Sequence, residues 1–204
     1  MRLLRPITED EMVAVFLRGE YASERWREGL HGLLARHGCA EDVLRRPNAA
    51  DPEQNALRSR ILEDHRAWER RDGLFGGFPH DVEWFRAELE PHEVLEILFI
   101  HWDWWLRVSG GTRRPLVTAR RIRGGEVAGV TAPEHEPLAG ALSATPPPAE
   151  LIAVTTPAHA PLVLLEGHFR LTAYALFPEH LPPKLEILLG VSEEMPRWCM
   201  FQVD

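Results

Sequence analysis

The chain has 204 residues, of which 45% are hydrophobic and 26% are charged, and its formal net charge is −8. This composition excludes a wholly disordered chain and a miniature scaffold that depends on disulfides, because a chain of this length can bury its own core. The acidic balance argues against a protein that coats nucleic acid, since nonspecific affinity for a polyanion comes from neutralised phosphates.

The first hundred residues are predicted to be mainly helical. Thr8 and Glu11 have the spacing of a capping box in front of an apolar run, so a helix should begin there. A second helix should begin at Ser23 and end near Gly38, because leucines recur between them at spacings of three and four. A third helix should begin at Pro52, since proline is favoured in the first turn.

Two further helices are predicted before the chain changes character. The shorter of the two is capped by Asp81 and runs through Leu89. Residues 91–106 carry apolar side chains around nearly the whole circumference of a helix, which would place that helix at the centre of the fold. Between the third helix and these two, residues 74–79 are predicted to form a loop because they contain glycines and a proline.

The pattern from residue 109 onward is typical of a small mixed β-sheet. Short β-prone runs alternate there with one helical stretch and with loops rich in proline. We predict strands at 115–122, 151–156, 161–165 and 184–189, a helix at 169–177, and a loop at 133–148 with one helical turn. The chain should therefore be an α+β protein, in which a helical segment, 1–108, packs on a small mixed-sheet unit, 109–204, as one compact body.

No membrane or secretion pattern interrupts this plan. No run approaches eighteen apolar residues, and Glu9 and Asp10 come before the apolar core of a signal peptide could form. Cys39 and Cys199 are far apart and lack the spacing of a zinc site, which favours isolated thiols. We therefore expect a cytoplasmic protein that does not associate with a membrane.

Positive charge is concentrated in one segment. Six arginines and no acidic residue lie between Asp103 and Glu126, whereas residues 124–204 carry ten acidic side chains against three basic ones. Such a segment would attract an anionic ligand. The alternative is that these arginines pair with acidic side chains or are solvated on an exposed strand.

The turn at Gly167 is the strongest candidate for a functional site. Glycine lets the backbone bend sharply between a buried strand and a helix. The first-turn amides of that helix lack internal partners, the helix dipole favours an anion, and Arg170 adds a fork of donors. The structural alternative is that Glu166 and Arg170 pair with each other across one helical turn and that His168 is a cap.

Gly167, Arg170 and Ala173 match a G-x-x-R-x-x-A box between a strand and a helix. Residues 148–190 thereby resemble the core of the ParB/sulfiredoxin-like superfamily, and the resemblance extends further if 116–122 is the opening strand of that fold. It does not cover residues 1–108. The superfamily includes ATP-dependent sulfinic acid reductases, a free-serine kinase and CTP-binding partition proteins, and its members hold phosphates at this turn.

Departures from the superfamily narrow what the resemblance implies. His168 stands where the sulfiredoxin branch has its attacking cysteine, which disfavours sulfinic acid reduction. The partition branch continues into an arginine-rich phosphate motif and a helix-turn-helix module, whereas this chain ends soon after the box. The resemblance is therefore closest to the small-molecule enzymes of the superfamily, and it does not favour nucleic acid as a partner.

The resemblance implies roles for individual residues. Backbone amides near Gly167 and His168, with Arg170, would hold a nucleotide phosphate, Glu166 would be a general base or a Mg²⁺ ligand, and His168 would orient or protonate the substrate. A second set of anion contacts, to a γ-phosphate or an anionic substrate, would come from the loop of Ser109, Gly110, Gly111, Thr112, Arg113 and Arg114. In the structural alternative, Gly110 and Gly111 only end a helix.

We therefore predict a nucleotide-binding enzyme that transfers or hydrolyses a phosphoryl group of ATP or CTP, with Mg²⁺ and a small-molecule acceptor. Phosphoryl transfer depends on positioning and charge neutralisation, which the predicted side chains can provide. A nucleotide-gated regulator and a nuclease-like activity are the alternatives. The sequence leaves open the acceptor, the choice of nucleotide and the oligomeric state.

Overall fold

The computed structural model of the chain describes residues 1–144 and 151–202. These residues form an α+β protein that is roughly half helical, with nine α-helices and one five-stranded mixed sheet. The strands are β1 (Arg2–Ile7), β2 (Glu83–Leu89), β3 (Ile152–Thr155), β4 (Val163–Glu166) and β5 (Leu185–Val191). The helices are α1 (Glu9–Ala22), α2 (Glu24–Arg36), α3 (Asp42–Arg45), α4 (Pro52–Arg66), α5 (Pro91–Val94), α6 (Asp103–Ser109), α7 (Pro115–Arg123), α8 (Glu136–Ala144) and α9 (His168–Leu176).

The sheet has the strand order β1-β2-β5-β3-β4. Neighbouring strands are antiparallel except for β3 and β5, which run parallel. Two of the five strands, β1 and β2, lie within residues 1–108, so this part of the chain contributes to the sheet and is not helical alone. The two parts of the chain therefore share one sheet through the pairing of β2 with β5.

Helices cover both faces of the sheet. Alternate side chains of β3 show this arrangement, because Ile152 and Val154 pack with the apolar residues of α1, α2 and α4, whereas Ala153 packs with those of α8 and α9. A strand whose two faces are both buried should be a continuous apolar run, as residues 152–154 of β3 and 163–165 of β4 are. The bend after β4 is consequently placed near the edge of the sheet, between helices of the two layers.

The predicted helices α1, α2 and α4 are confirmed. The Thr8 hydroxyl accepts a hydrogen bond from the Glu11 amide at 3.2 Å, which caps α1 as the sequence pattern indicates. Asp51 caps α4 in the same way, and Pro52 occupies its first turn. The three C-terminal strands, the helix after the Gly167 bend and the loop that begins near Leu74 are also confirmed, with small shifts of their ends.

The prediction of a helix at 81–89 is wrong, since β2 covers most of this range. β2 pairs with β1 on one side and with β5 on the other. The N-terminal strand β1 was not predicted, and its exposed side chains give no alternation from which to infer it. Without a predicted partner strand, the apolar residues of β2 were compatible with either a helix or a strand.

The prediction of one central helix at 91–106 is also wrong. Its beginning is correct, because α5 starts at Pro91 with a capping box formed by Glu90 and Glu93. The chain then extends beside β4, where the Leu98 amide donates to the Leu162 carbonyl at 2.9 Å, and becomes helical again in α6. A continuous apolar run fits a buried extended segment as well as a buried helix.

The predicted strand at 115–122 is the helix α7. Pro115 occupies its first turn, and the buried positions Thr118, Ala119 and Ile122 have helical spacing. Ala119 and Ile122 of this helix pack in a small cluster with Ala175 and Leu176 of α9. Helix α8 is also longer than the single turn predicted within 133–148, and residues 145–148 of that prediction lie outside the described ones.

The structure also bears on the expectations about the cysteines and about membrane-spanning helices. Both cysteines are free thiols, Cys39 partly buried and Cys199 exposed. In the part of the chain that the structure describes, none of the helices has the length and apolar character needed to cross a bilayer.

Candidate functional site

Gly167 forms the bend between β4 and α9 and has the backbone conformation that the sequence analysis required. Its φ of +107° is accessible to glycine and strained for other residues. A Cβ at this position would also overlap the Leu151 side chain, which packs directly against the bend. Both the backbone angle and the lack of space therefore require glycine at position 167.

The carboxylate of Glu166 is bonded to two of the donors of the predicted anion site. Arg170 Nη2 donates to Glu166 Oε1 at 3.0 Å, and the Gly167 amide donates to the other oxygen, Glu166 Oε2. The side chains of Glu166 and Arg170 are only 16% and 12% exposed. The pairing given above as the structural alternative is thus present, and it is largely shielded from water.

Helix α1 covers this pair through a glycine that the sequence analysis did not single out. A Cβ on Gly19 would come within 2.7 Å of Glu166 Oε1 and 3.3 Å of Arg170 Nη2. A residue with a side chain would therefore push the Glu166–Arg170 pair away from α1. The signal was available, because glycine inside a helix is costly and indicates a close approach by another group.

His168 packs as an aromatic ring in the first turn of α9. Its ring stacks on Trp105 with 4.9 Å between centroids and on Phe99 with 6.0 Å. Nε2 is shielded from solvent and has no hydrogen-bond partner among the described residues. Burial, with a smaller contribution from the charge of Arg170, lowers the pKa of His168 to about 3. The ring is therefore neutral at physiological pH, which favours an orienting role over that of a proton donor.

The predicted second anion loop is connected to the bend by packing. Trp105, which stacks on His168, belongs to α6, and α6 ends at Ser109 immediately before this loop. Gly110 has a φ of +62°, and the amide of Gly111 donates to the Leu106 carbonyl at 2.7 Å. These two glycines end helix α6, in agreement with the structural alternative given for them above.

Arg113 is buried and holds the C-terminal segment in place. Its side chain donates to the backbone carbonyl oxygens of Phe99, Met200, Phe201 and Gln202. Its own amide donates to the Ser109 hydroxyl at 2.9 Å. The guanidinium joins the extended segment beside β4 to the end of the described chain, so its donors are engaged by the protein's own backbone.

The other two members of the loop lie nearer the surface. The Thr112 hydroxyl donates to the Ser109 carbonyl at 2.9 Å. Arg114 is exposed and forms an ion pair with Glu96 at 2.8 Å. An exposed pair of this kind contributes little to stability and can be exchanged for a ligand at low cost.

No set of three or more histidine, cysteine or acidic side chains is placed to hold a metal ion within 1–144 and 151–202. Among the described residues, Glu166 is the carboxylate that accepts hydrogen bonds from both the Gly167 amide and the Arg170 side chain. A cation at this bend would therefore need further oxygen ligands from a bound substrate.

Comparison of the chain with known protein families, with curated proteins and with solved structures found no match. The features that bear on its function are therefore those of its own residues, above all the contacts among Glu166, Gly167 and Arg170.

Proposed function

We propose that the chain binds the phosphates of a nucleoside triphosphate, ATP or CTP, at the β4–α9 bend, residues 166–170. The observation that carries this proposal is that one carboxylate, that of Glu166, is bonded at once to the Gly167 amide and to the Arg170 guanidinium. An amide at a helix N-terminus and a guanidinium fork are the donors that bind phosphate oxygens in proteins. The Glu166 carboxylate occupies the position that a phosphate group would take.

A phosphate would therefore have to displace Glu166. Magnesium accompanies nucleoside triphosphates and is usually held by one or two carboxylates together with phosphate oxygens. The displaced Glu166 fits this role as a Mg²⁺ ligand, or it would accept the proton of an acceptor hydroxyl as a general base. Phosphoryl transfer to a small molecule is the activity that these groups would support.

We also propose that residues 148–190, of which the structure describes 151–190, form a unit like that of the ParB/sulfiredoxin-like superfamily. The order β4, α9, β5 supports this, as do the positions of Gly167 at the bend and Arg170 one turn later. Ala173 is fully buried on α9, where a larger side chain would not pack. The helix at Pro115–Arg123 limits the proposed unit to this part of the chain, because the superfamily's opening strand was expected there.

Nucleotide binding should respond to the charge of Glu166. Glu166→Gln keeps the shape of the side chain but removes the negative charge that holds Arg170, so we expect ATP without Mg²⁺ to bind several-fold more tightly than it binds the wild type. The double variant Glu166→Gln/Arg170→Gln should lose ATP binding without leaving a lone charge at the bend. Binding is read from the rise in melting temperature with ATP or CTP, since a ligand specific to the folded state stabilises it.

A control variant removes an ion pair of the same i,i+4 spacing elsewhere on the protein. Asp42 and Arg46 form an exposed i,i+4 pair on and just after α3, and Asp42→Asn/Arg46→Gln should leave the response to ATP unchanged. The same nucleotide-dependent shift in wild type and in Glu166→Gln/Arg170→Gln would contradict the proposed site. Phosphate release that requires an added small-molecule acceptor would identify a phosphotransferase, whereas binding without turnover would identify a regulator.

A further inference from the structure

Four of the six arginines of the basic segment lie at the adjacent ends of two helices. Arg107 is in the last turn of α6, and Arg120, Arg121 and Arg123 are in the last turn of α7. The guanidinium of Arg121 lies against Gly110, the residue that ends α6, in the space that a Cβ at this position would take. This contact brings the two helix ends together, and we call these four residues the arginine cluster.

The arginine cluster keeps hydrogen-bond donors that a ligand can use. Three of its members are exposed, and the side chain of the fourth, Arg121, is 29% exposed. Arg123 uses Nη2 to donate to the Leu176 carbonyl, and Arg121 pairs with Glu126 at 3.5 Å. Because a guanidinium carries five N–H donors, both arginines retain donors for oxygen atoms of a bound anion.

The local charge of the arginine cluster is positive although the chain is acidic. The acidic side chain that pairs within the cluster, that of Glu126, is 59% exposed, so the pair can be exchanged for a ligand at low cost. At physiological ionic strength, exposed charges more than about 8 Å away are largely screened. A net charge of −8 therefore opposes coating of nucleic acid by the whole surface, but not a contact confined to one basic patch.

The surroundings of the arginine cluster suit a polyanion better than an acidic polypeptide. Protein interfaces have an apolar centre, whereas this part of the surface exposes arginines and the backbone of Gly124 and Gly125. The exposed apolar side chain of α7, that of Leu116, is at the opposite end of the helix. The guanidinium of Arg107 lies over the nearby Trp104 ring at 4.5 Å from its centroid. Binding here would therefore depend on charge, as contacts with a phosphate backbone do.

We infer that the arginine cluster binds the phosphate backbone of a nucleic acid strand without reading its sequence. Successive phosphate groups would accept hydrogen bonds from the guanidinium groups at the two helix ends. The site is separate from the proposed nucleotide site, because Arg123 is bonded to Leu176 at the end of α9, whereas Gly167 precedes the first turn of that helix. The inference therefore does not depend on nucleotide binding at residues 166–170.

A short fluorescein-labelled oligothymidylate is the probe, and its fluorescence anisotropy measures binding at several NaCl concentrations. Each phosphate contact with a single strand contributes about −0.7 to the slope of log Kobs against log [NaCl], so four contacts give a slope of about −3. Arg120→Gln/Arg123→Gln should reduce the slope to about −1.5 and raise the Kd at least about tenfold at about 50 mM NaCl. Arg120→Lys/Arg123→Lys keeps both charges and should restore most of the affinity.

The matched control removes two exposed arginines on other helices. Arg36→Gln/Arg60→Gln, on α2 and α4, changes the net charge by the same amount and should alter the Kd by no more than about twofold. Thermal unfolding without the probe shows whether each variant is folded. If loss of the Arg123 bond to Leu176 unfolds the double variant, Arg120→Gln alone should reduce the slope by about 0.7.

Four results would overturn the inference. They are an unchanged salt slope in Arg120→Gln/Arg123→Gln, an equal loss of affinity in Arg36→Gln/Arg60→Gln, and failure of the lysine variant to bind although it is folded. The fourth is displacement of the probe by polyglutamate as efficiently as by unlabelled oligothymidylate, which would indicate an acidic polypeptide as the partner. A reduced slope in the glutamine variant, with both control variants binding as described, would support a phosphate backbone as the ligand.

Discussion

Replacing Arg113 with alanine should lower the free energy of unfolding by about 3–5 kcal/mol, because the change leaves several buried carbonyl groups without donors. Arg113 is only 6% exposed, and its side chain donates to backbone carbonyl oxygens at Phe99 and at the end of the described chain. Its loss should detach residues 200–202 from the extended segment beside β4. Urea unfolding followed by tryptophan fluorescence measures the change.

The neighbouring Arg114 supplies the control for this prediction. Arg114 is exposed and pairs with Glu96 on the surface, so Arg114→Ala should change the free energy of unfolding by no more than about 0.5 kcal/mol. The comparison also separates the two interpretations of this loop. If Arg113→Ala retained its stability but lost the ATP-dependent melting shift, Arg113 would be the anion ligand that the resemblance implies, and its structural role would be refuted.

Replacing Glu20 with glutamine should lower the free energy of unfolding at pH 7 by about 2–4 kcal/mol, because it leaves partners of a buried charge unpaired. Glu20 lies on α1, is 5% exposed, and accepts hydrogen bonds from Arg66 and contacts His65. The guanidinium of Arg66 also lies over the Trp26 ring at 3.8 Å. The change therefore weakens the contact of α4 with both α1 and α2.

The effect of Glu20→Gln should depend on pH. Burial by itself would raise the pKa of Glu20, but hydrogen bonds from His65 and Arg66 outweigh it and hold the pKa below the ordinary value of 4.5. A carboxyl group whose pKa is lower in the folded state than in the unfolded state stabilises the protein at pH values above its unfolded-state pKa. This stabilisation is lost as the pH falls through the folded-state pKa. The difference in free energy of unfolding between wild type and Glu20→Gln should therefore become smaller below pH 4.5.

Urea unfolding of both proteins at several pH values between 7 and 3 tests this prediction. Glu28, an exposed residue of α2, provides the control, because Glu28→Gln should change stability little at any pH in this range. A difference between wild type and Glu20→Gln that stayed constant down to pH 3 would show that the loss comes from packing and not from the charge.

The elements that could be predicted from the sequence are those whose signals are local. Thr8 and Asp51 cap helices through atoms within three residues of themselves, so the beginnings of α1 and α4 follow from short patterns. The Gly167 bend was found in the same way, because a glycine between an apolar run and a helical stretch needs no distant partner. The i,i+4 spacing of Glu166 and Arg170 likewise allowed their contact to be foreseen.

The elements that were predicted wrongly depend on distant partners. β2 is a strand because β1 and β5 flank it, and Leu98 is extended because β4 lies beside it. The same apolar residues could have packed as a helix, and the choice depends on which backbone groups are available to pair. Helix α7 shows the reverse case, in which a segment that contains β-branched residues is helical and packs on α9 through Ala119 and Ile122.

The amino-acid sequence by itself determined that this chain forms an acidic α+β protein with a glycine bend, followed one turn later by an arginine. Only the tertiary structure decided which groups contact that bend and the second predicted loop, since Gly19 brings α1 against the Glu166 carboxylate and Arg113 donates to distant carbonyls. The physical reason is that local spacing fixes which side chains can reach one another within a turn. Burial and the pairing of groups far apart in sequence are set only when the layers pack together.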